Sequence, residues 1–327
     1  MNRRSFLKTT AIGASVAISP MQTFAQNAKP KIKVGYIPIT DHLTIIAKGL
    51  EAYQNVEFEP VKFSAWPDIV EAIRAGAIDG AFLLSHISIQ LKLQNVPVKG
   101  LMAGHRNGSV ITVKNTDEIN KVSDLKGKNI AVPSRFSLHF ALIQKVLKDN
   151  GINPDTEVKL IDMAPPEMVS ALANGKIDAF IVAEPFGAQA MAQKVGKPLM
   201  YTGEIWSNHI CCILNMREEV IANHKDAVQE LVTGFIKTAS YIEKNPLEAS
   251  VLSRKFLGQK PEIIEFVIES PKNIVNYNDL IITKNDFDIT QDYMINYGVT
   301  KARIDETQYL DNSFAQNAYK ALTGKNA

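Results

Sequence analysis

Residues 67–83 read PDIVEAIRAGAIDGAFL, and residues 166–182, 99 positions on, read PEMVSALANGKIDAFIV. The two align without a gap. Pro, Val, Ala, Gly, Ile and Asp are identical at matching places, as in Gly76 and Gly175 or Asp79 and Asp178. Each copy opens with Pro where a helix's first N–H has no intrahelical partner. An acid follows, Asp68 or Glu167, suited to the positive helix end. Ile69, Val70 and Ile73 mark one apolar helix face, as do Met168, Val169 and Leu172. Gly76 and Gly175 can take the left-handed conformation that stops a helix. An apolar strand comes next, at 81–84 and 179–183. A helix, a glycine stop and a buried strand, given twice, predict two similar α/β lobes with a cleft between them.

The 327 residues are 46% hydrophobic and 21% charged, ordinary for a globular chain and enough for two cores. Residues 1–25 read as an export signal: Arg3, Arg4 and Lys8 lead a short, mildly apolar run, and Thr23-Phe24-Ala25 resembles a cleavage site. The stretch NRRSFLK resembles the twin-arginine signal, with Asn2 in place of the usual serine or threonine. Without that segment the formal charge falls from +2 to −1. No basic block remains to suggest nucleic acid or an anionic membrane surface. The only cysteines are the neighbours Cys211 and Cys212, so no lipid-bearing cysteine follows the signal. Adjacent cysteines do not make a comfortable disulfide. The expectation is a soluble periplasmic monomer.

Apolar runs at 31–37, 56–63, 98–103 and 110–113 read as strands, and 43–53 as a helix. The composition turns polar at 114–127, which places the first crossing between lobes there. The second lobe repeats the plan, with strands at 129–132 and 158–163 and a helix at 138–149. Each lobe thus reads β-α-β-α-β, a mostly parallel sheet covered by helices on both faces. Lobe 1 is assigned 30–113 plus 204–327, and lobe 2 is assigned 114–203. Helical patterns at 218–244, 247–256, 261–269 and 286–297 form an extension expected to wrap lobe 1.

VGYIPITDHL (34–43), AGAIDGAFLLSH (75–86), GKIDAFIVAEPFG (175–187), NHICCILNM (208–216) and IEKNP (242–246) come in an order that resembles one family. It is the type II periplasmic solute-binding proteins of ABC importers, in the nitrate, sulfonate, taurine and bicarbonate branch, related to thiamine-precursor pyrimidine binders. The resemblance covers nearly the whole chain after residue 25. It implies capture of a small-molecule ligand in the cleft and delivery to an ABC permease with its ATPase, after passage through the twin-arginine export machinery. It implies no enzyme activity and no cofactor. Two features depart from the family pattern: Ala183 stands where relatives often carry tryptophan, and Asp41-His42 stands where small apolar residues are usual.

In open parallel sheets ligands lie beyond the carboxyl ends of the strands. The residues there carry an unusual share of His and Arg. Arg135, between Ser134 and Ser137 at a helix mouth, either forks onto an oxyanion or makes a salt bridge across the lobe. One of the two serines should cap that helix. His86, after Ser85, either donates to a ligand or stacks against the lobe. Asp41 either fixes the tautomer of His42, a candidate ligand contact, or caps a helix. Gly108, in the segment 105–109 ending at Ser109, either lets backbone approach a ligand or makes a tight turn. Glu184 either accepts from an amine or pyrimidine N–H or closes the lobes by a hinge contact. Trp66 either stacks on a flat ligand or covers the lobe. Asp79 and Asp178 stand on the far side of their strands and read as caps.

His209 with Cys211 and Cys212 has residue types that suit a metal or a thiolate nucleophile. Strand alternation puts the two cysteines on opposite faces, so core cysteines are expected and no metal. Elbow, phosphate-loop, dinucleotide and zincin motifs are missing. The expected cargo is a small oxyanion. A heteroaromatic such as a thiamine-precursor pyrimidine is the alternative. From other classes come an enzyme like the cysteine-rich pyrimidine synthases and an extracytoplasmic sensor subunit.

Overall fold

The computed structural model describes residues 28–270 and 274–324. The signal expected at 1–25 lies outside the described residues. The strands are β1 (Lys31–Tyr36), β2 (Glu57–Lys62), β3 (Gly80–Leu84), β4 (Val98–Ala103), β5 (Arg106–Asn107), β6 (Ser109–Lys114), β7 (Asn129–Val132), β8 (Lys159–Asp162), β9 (Ala179–Ala183), β10 (Gly196–Tyr201), β11 (Cys212–Arg217) and β12 (Val275–Asn276).

They form two five-stranded sheets, β2-β1-β3-β11-β4 and β10-β6-β9-β7-β8, and a small pair, β12-β5. Read from β2 and from β8, the two sheets have the same plan. β1 and β3 run parallel, as do β7 and β9, and the fourth strand of each sheet is antiparallel to the third.

The duplicated sequence produces this match. Pro67 and Asp68 open the helix Trp66–Arg74, whose Ile69 and Ile73 are buried. Each such side chain contributes about 1.5–3 kcal/mol by leaving water. Gly76 ends the turn at φ +71°, and Gly175 does so at φ +69° after the helix Pro165–Ala173. β3 and β9, which follow, are buried throughout. Asp79 accepts from the N–H of Lys33, and Asp178 from the N–H of Asn129, so each ties its strand to the first strand of its own sheet.

Four expectations need correction. Residues 110–113 were read as part of lobe 1, but β6 is hydrogen-bonded to β9 and β10 in the second sheet. The chain therefore changes sheets at 104–108, and returns before β11. Each sheet receives its antiparallel strand from the chain arriving from the other, a non-local pairing that an apolar run does not announce. The helix expected at 43–53 is instead a kinked 3-10 helix, Thr40–Ile46, in which His42 leaves helical angles, followed by the short α-helix Ala47–Leu50. The long helix at 218–244 breaks at His224 into Glu218–Asn223 and Lys225–Lys244. The later helices pack mostly on the first sheet's side, but Pro261–Glu269 meets Phe186–Ala192, and Lys284–Asn296 meets Leu138–Asp149, in the second lobe. No helix among the described residues is long and apolar enough to cross a membrane.

Candidate functional site

The carboxyl ends of β1 and β3 lie together because these strands are parallel. The start of β11 joins them because it runs antiparallel to β3, with Cys212 opposite Leu84. His42, His86 and His209 are thereby gathered at one end of the first sheet, facing the start of β6 and the helix Leu138–Asp149. Five of the six histidines are buried there or beside it: His42, His86, His105, His139 and His209.

Their hydrogen bonds constrain which nitrogen carries the proton. Nδ1 of His42 lies 3.0 Å from both the N–H and the carbonyl of Ile37, so it accepts from the one or donates to the other according to tautomer. Nε2 of His42 is left without a partner. In His86, Nδ1 lies 3.3 Å from the hydroxyl of Ser85, whose own hydrogen goes to the carbonyl of Ile210. Nδ1–H therefore donates and Nε2 keeps a bare lone pair. His209 donates Nδ1–H to the carbonyl of Trp206 at 2.7 Å, and its Nε2 is bare as well. Burial pulls the pKa of His42 and of His86 down to about 3 and that of His209 to about 4, so all three are neutral at physiological pH.

His105 differs from these three. Nδ1 meets the carbonyl of Asp41 at 3.0 Å, and Nε2 meets the carbonyl of Asn107 at 3.0 Å and the carboxylate of Asp41 at 3.1 Å. Each nitrogen faces a carbonyl, which demands a hydrogen on both. Burial opposes the charge, but Asp41 outweighs it and holds His105 up at about 10. We therefore describe Asp41 and His105 as a buried ion pair. With Cys212 they form the one group among the described residues whose ligand atoms are close enough for a metal. His105 has no lone pair to give, so the trio does not suit one. Burial pushes the thiol of Cys212 up, and both cysteines are free and buried.

Asp41 is thus paired with His105 and does not orient His42. Gly108 sits against this pair at φ +98°, where a Cβ would lie 2.4 Å from Oδ1 of Asp41. Ser109 places its hydroxyl 2.8 Å from Nε2 of His139, on a helix of its own lobe, and 4.0 Å from the sulfur of Cys211, beside the first sheet. Trp66 is buried edge-on to His42, ring centres 5.7 Å apart, with Nε1–H unpartnered. It also lines a depression of about 280 Å³ at the seam, opposite Ser134 and Phe136.

Ser137, as expected, caps the helix Leu138–Asp149 by accepting from the N–H of Phe140. Arg135 is exposed and paired with Asp162 at 3.2 Å. Arg106 is buried but fully used, forked onto Asp286 and bonded to Asp279 and three carbonyls. The crowd of His and Arg seen in sequence therefore resolves into three neutral imidazoles, one imidazolium matched by Asp41, and guanidiniums already paired.

The side chain of Glu184 turns into the second lobe. One carboxyl oxygen accepts from the N–H of Ala188, and burial raises the group to about 7. Its backbone carbonyl points the other way and accepts from the N–H and hydroxyl of Thr40, each at 2.8 Å. Sequence reading counts His105 among the strand-end residues and sets His139 one helical step beyond them, but gives neither a role; the roles depend on hydrogen bonds to Asp41 and Ser109.

Two equivalent sheets, two crossing segments and a sealed polar seam between them define a two-lobed periplasmic-binding-protein fold. Residues 25–254 match the NMT1-like family, and the chain belongs to it. The nitrate/nitrite binding protein NrtA of Nostoc sp. is 29% identical over 304 residues, covering 83% of this chain and 68% of that protein. The nitrate import ATP-binding protein NrtC of Synechocystis sp. is 27% identical over 290 residues, covering 80% of this chain and 43% of that one. In structure, the periplasmic nitrate-binding protein NrtA of Synechocystis PCC 6803 superposes with a TM-score of 0.82 at 19% identity, covering 91% of this chain and 90% of that one.

Proposed function

We propose that the protein is the solute-binding component of an ABC importer, exported through the twin-arginine route, and that it closes its lobes over a small oxyanion for delivery to a permease and its ATPase. The observation that carries this reading is the set of imidazole nitrogens sealed at the seam without partners, on His42, His86 and His209. Leaving a buried polar group unmatched costs about 1–3 kcal/mol. A fold that does so several times at a lobe boundary is arranged for something that enters between the lobes. Thr40 and Glu184 are bonded across the seam, a contact between the lobes that closure over a ligand would favour. The names of the nitrate-binding relatives support an oxyanion as cargo.

The test is thermal melting and small-angle scattering of the purified protein with nitrate, nitrite, hydrogencarbonate and methanesulfonate. One of these should raise the melting temperature and shrink the radius of gyration. If neither quantity moves with any of them, the oxyanion reading is wrong.

A further inference from the structure

Unpartnered groups at the seam include donors and acceptors. Trp66 Nε1–H is a donor, and His42 Nε2, on the ring edge-on to it, donates or accepts according to tautomer. His86 Nε2 and His209 Nε2 are bare acceptors, fixed as such by Ser85 and by the carbonyl of Trp206. All four side chains are at least nine-tenths buried. His86 and His209 are near enough that a charge on one disfavours a charge on the other. The three cations nearest the seam are not left for an anion: Arg106 is spent, Arg135 is outside, and His105 is matched by Asp41.

A nitrate or sulfonate would satisfy the donor on Trp66, but it would turn its oxygen lone pairs on the two nitrogen lone pairs of His86 and His209. It could be accommodated only if an imidazole took up a proton, against the burial that keeps both rings neutral. An oxyanion with an O–H has no such conflict. Resting on the solute-binding reading above, we infer that the cleft selects an oxyanion that keeps a proton, its O–H donating to Nε2 of His86 or His209 while a bare oxygen accepts from Nε1–H of Trp66.

A metal ion could also take up bare imidazole nitrogens whose other N–H is held by a carbonyl or hydroxyl. The geometry speaks against it. Among the described residues the one trio of potential ligand atoms within 4.8 Å of one another is Asp41, His105 and Cys212, which includes neither His86 nor His209.

Calorimetry of the wild-type protein at pH 8 with hydrogencarbonate, nitrate and methanesulfonate decides the matter. Hydrogencarbonate should bind at least about 100-fold more tightly, because a site built to meet a hydroxyl strands its own polar groups when the hydroxyl is missing. Hydrogenphosphite, tried at pH 6, tells a tetrahedral carrier of the O–H from the planar one. Repeating the titrations in buffers of different ionisation heat should show proton uptake with nitrate and none with hydrogencarbonate. His86→Leu and His209→Leu should shrink the hydrogencarbonate-to-nitrate ratio. If either variant fails to fold, the wild-type ratio and proton count still decide.

Nitrate or methanesulfonate binding as tightly as hydrogencarbonate, without proton uptake, overturns the inference and leaves the solute-binding reading standing. Silence with every oxyanion overturns that reading and the inference with it. Hydrogencarbonate binding lost to a chelator and restored by zinc also overturns the inference, since the nitrogens would then hold a cation.

Discussion

The carbonyl of Glu184, at the end of β9, accepts two hydrogen bonds from Thr40, at the end of β1, with N–H and hydroxyl both at 2.8 Å. Tyr277 steadies the donor by giving its hydroxyl to the carbonyl of Thr40 at 2.6 Å. These bonds join segments that follow strands of the two different sheets. Thr40→Val removes one donor and keeps the shape. A net loss of about 1 kcal/mol should follow, weakening oxyanion affinity roughly fivefold by calorimetry while the melting temperature without ligand barely moves. Unchanged affinity would mean that the bond forms equally well in the open state.

The Asp41–His105 pair predicts a pH dependence of stability. The ordinary histidine pKa of 6.5 is raised to about 10 in the fold by the carboxylate, against burial. Between those values the folded state binds a proton that the unfolded chain has released. The stabilisation is therefore complete below about pH 6.5 and is lost as pH rises toward 10. Denaturant midpoints of the wild type should fall across that window, and those of His105→Asn should start lower and stay flatter. At pH 6.5 the substitution should cost about 3–5 kcal/mol, because it strands a buried charge. Parallel curves for the two proteins would show the pair to be neutral.

Much of this architecture was legible in the sequence. The repeated helix, glycine and strand specify local structure and burial together, and so they fixed two equivalent lobes. The place of β6 was not legible. Its alternation says that residues 109–114 are buried, but pairing with β9, seventy residues away, leaves no local trace. The same limit governed the site. Strand ends with histidine pointed to the right edge of the sheet, yet Arg135 at a helix mouth drew more weight than it merits, because its partner Asp162 comes from another strand. The bare nitrogens of His86 and His209 depend on hydrogen bonds to Ser85 and Trp206, and no spacing rule encodes those.

Gly108 is held by contact as well as by backbone angle. A methyl group there would fall 2.4 Å from Oδ1 of Asp41 and 2.7 Å from the ring of His105, at φ +98°. Gly127 has a similar positive φ of +76° but nothing within 4 Å. Gly127→Ala should therefore cost about 1 kcal/mol from backbone strain alone. Gly108→Ala should cost about 3 kcal/mol or more, as strain and overpacking add. Chemical denaturation of the two variants separates the contributions, and equal losses would contradict the crowding seen around Asp41.

Arg135→Ala tests the guanidinium that sequence alone favoured for anion binding. Its side chain is 60% exposed and its partner Asp162 is 49% exposed, so the ion pair contributes at most about 1 kcal/mol. The variant should bind oxyanions within about twofold of the wild type by calorimetry. A loss of tenfold or more would place the guanidinium on the ligand in the bound state.

Glu184 offers the opposite sign of pH effect from a group with a depressed carboxylate pKa. Burial raises its carboxyl from 4.5 to about 7, although N–H groups of Ala188 and Gly187 pull the other way. The folded state therefore holds a proton that the unfolded state has lost between those values. The contribution is fully present below about pH 4.5 and disappears as pH rises through 7. Glu184→Gln fixes the neutral form in nearly the same shape, and its amide oxygen can still accept from Ala188. Urea unfolding at pH 5 and pH 8 should show the wild type losing on the order of 1–3 kcal/mol relative to this variant over that interval. A constant difference between the two proteins would mean that the carboxyl stays ionised in the fold, with its charge met by a group that now lies elsewhere.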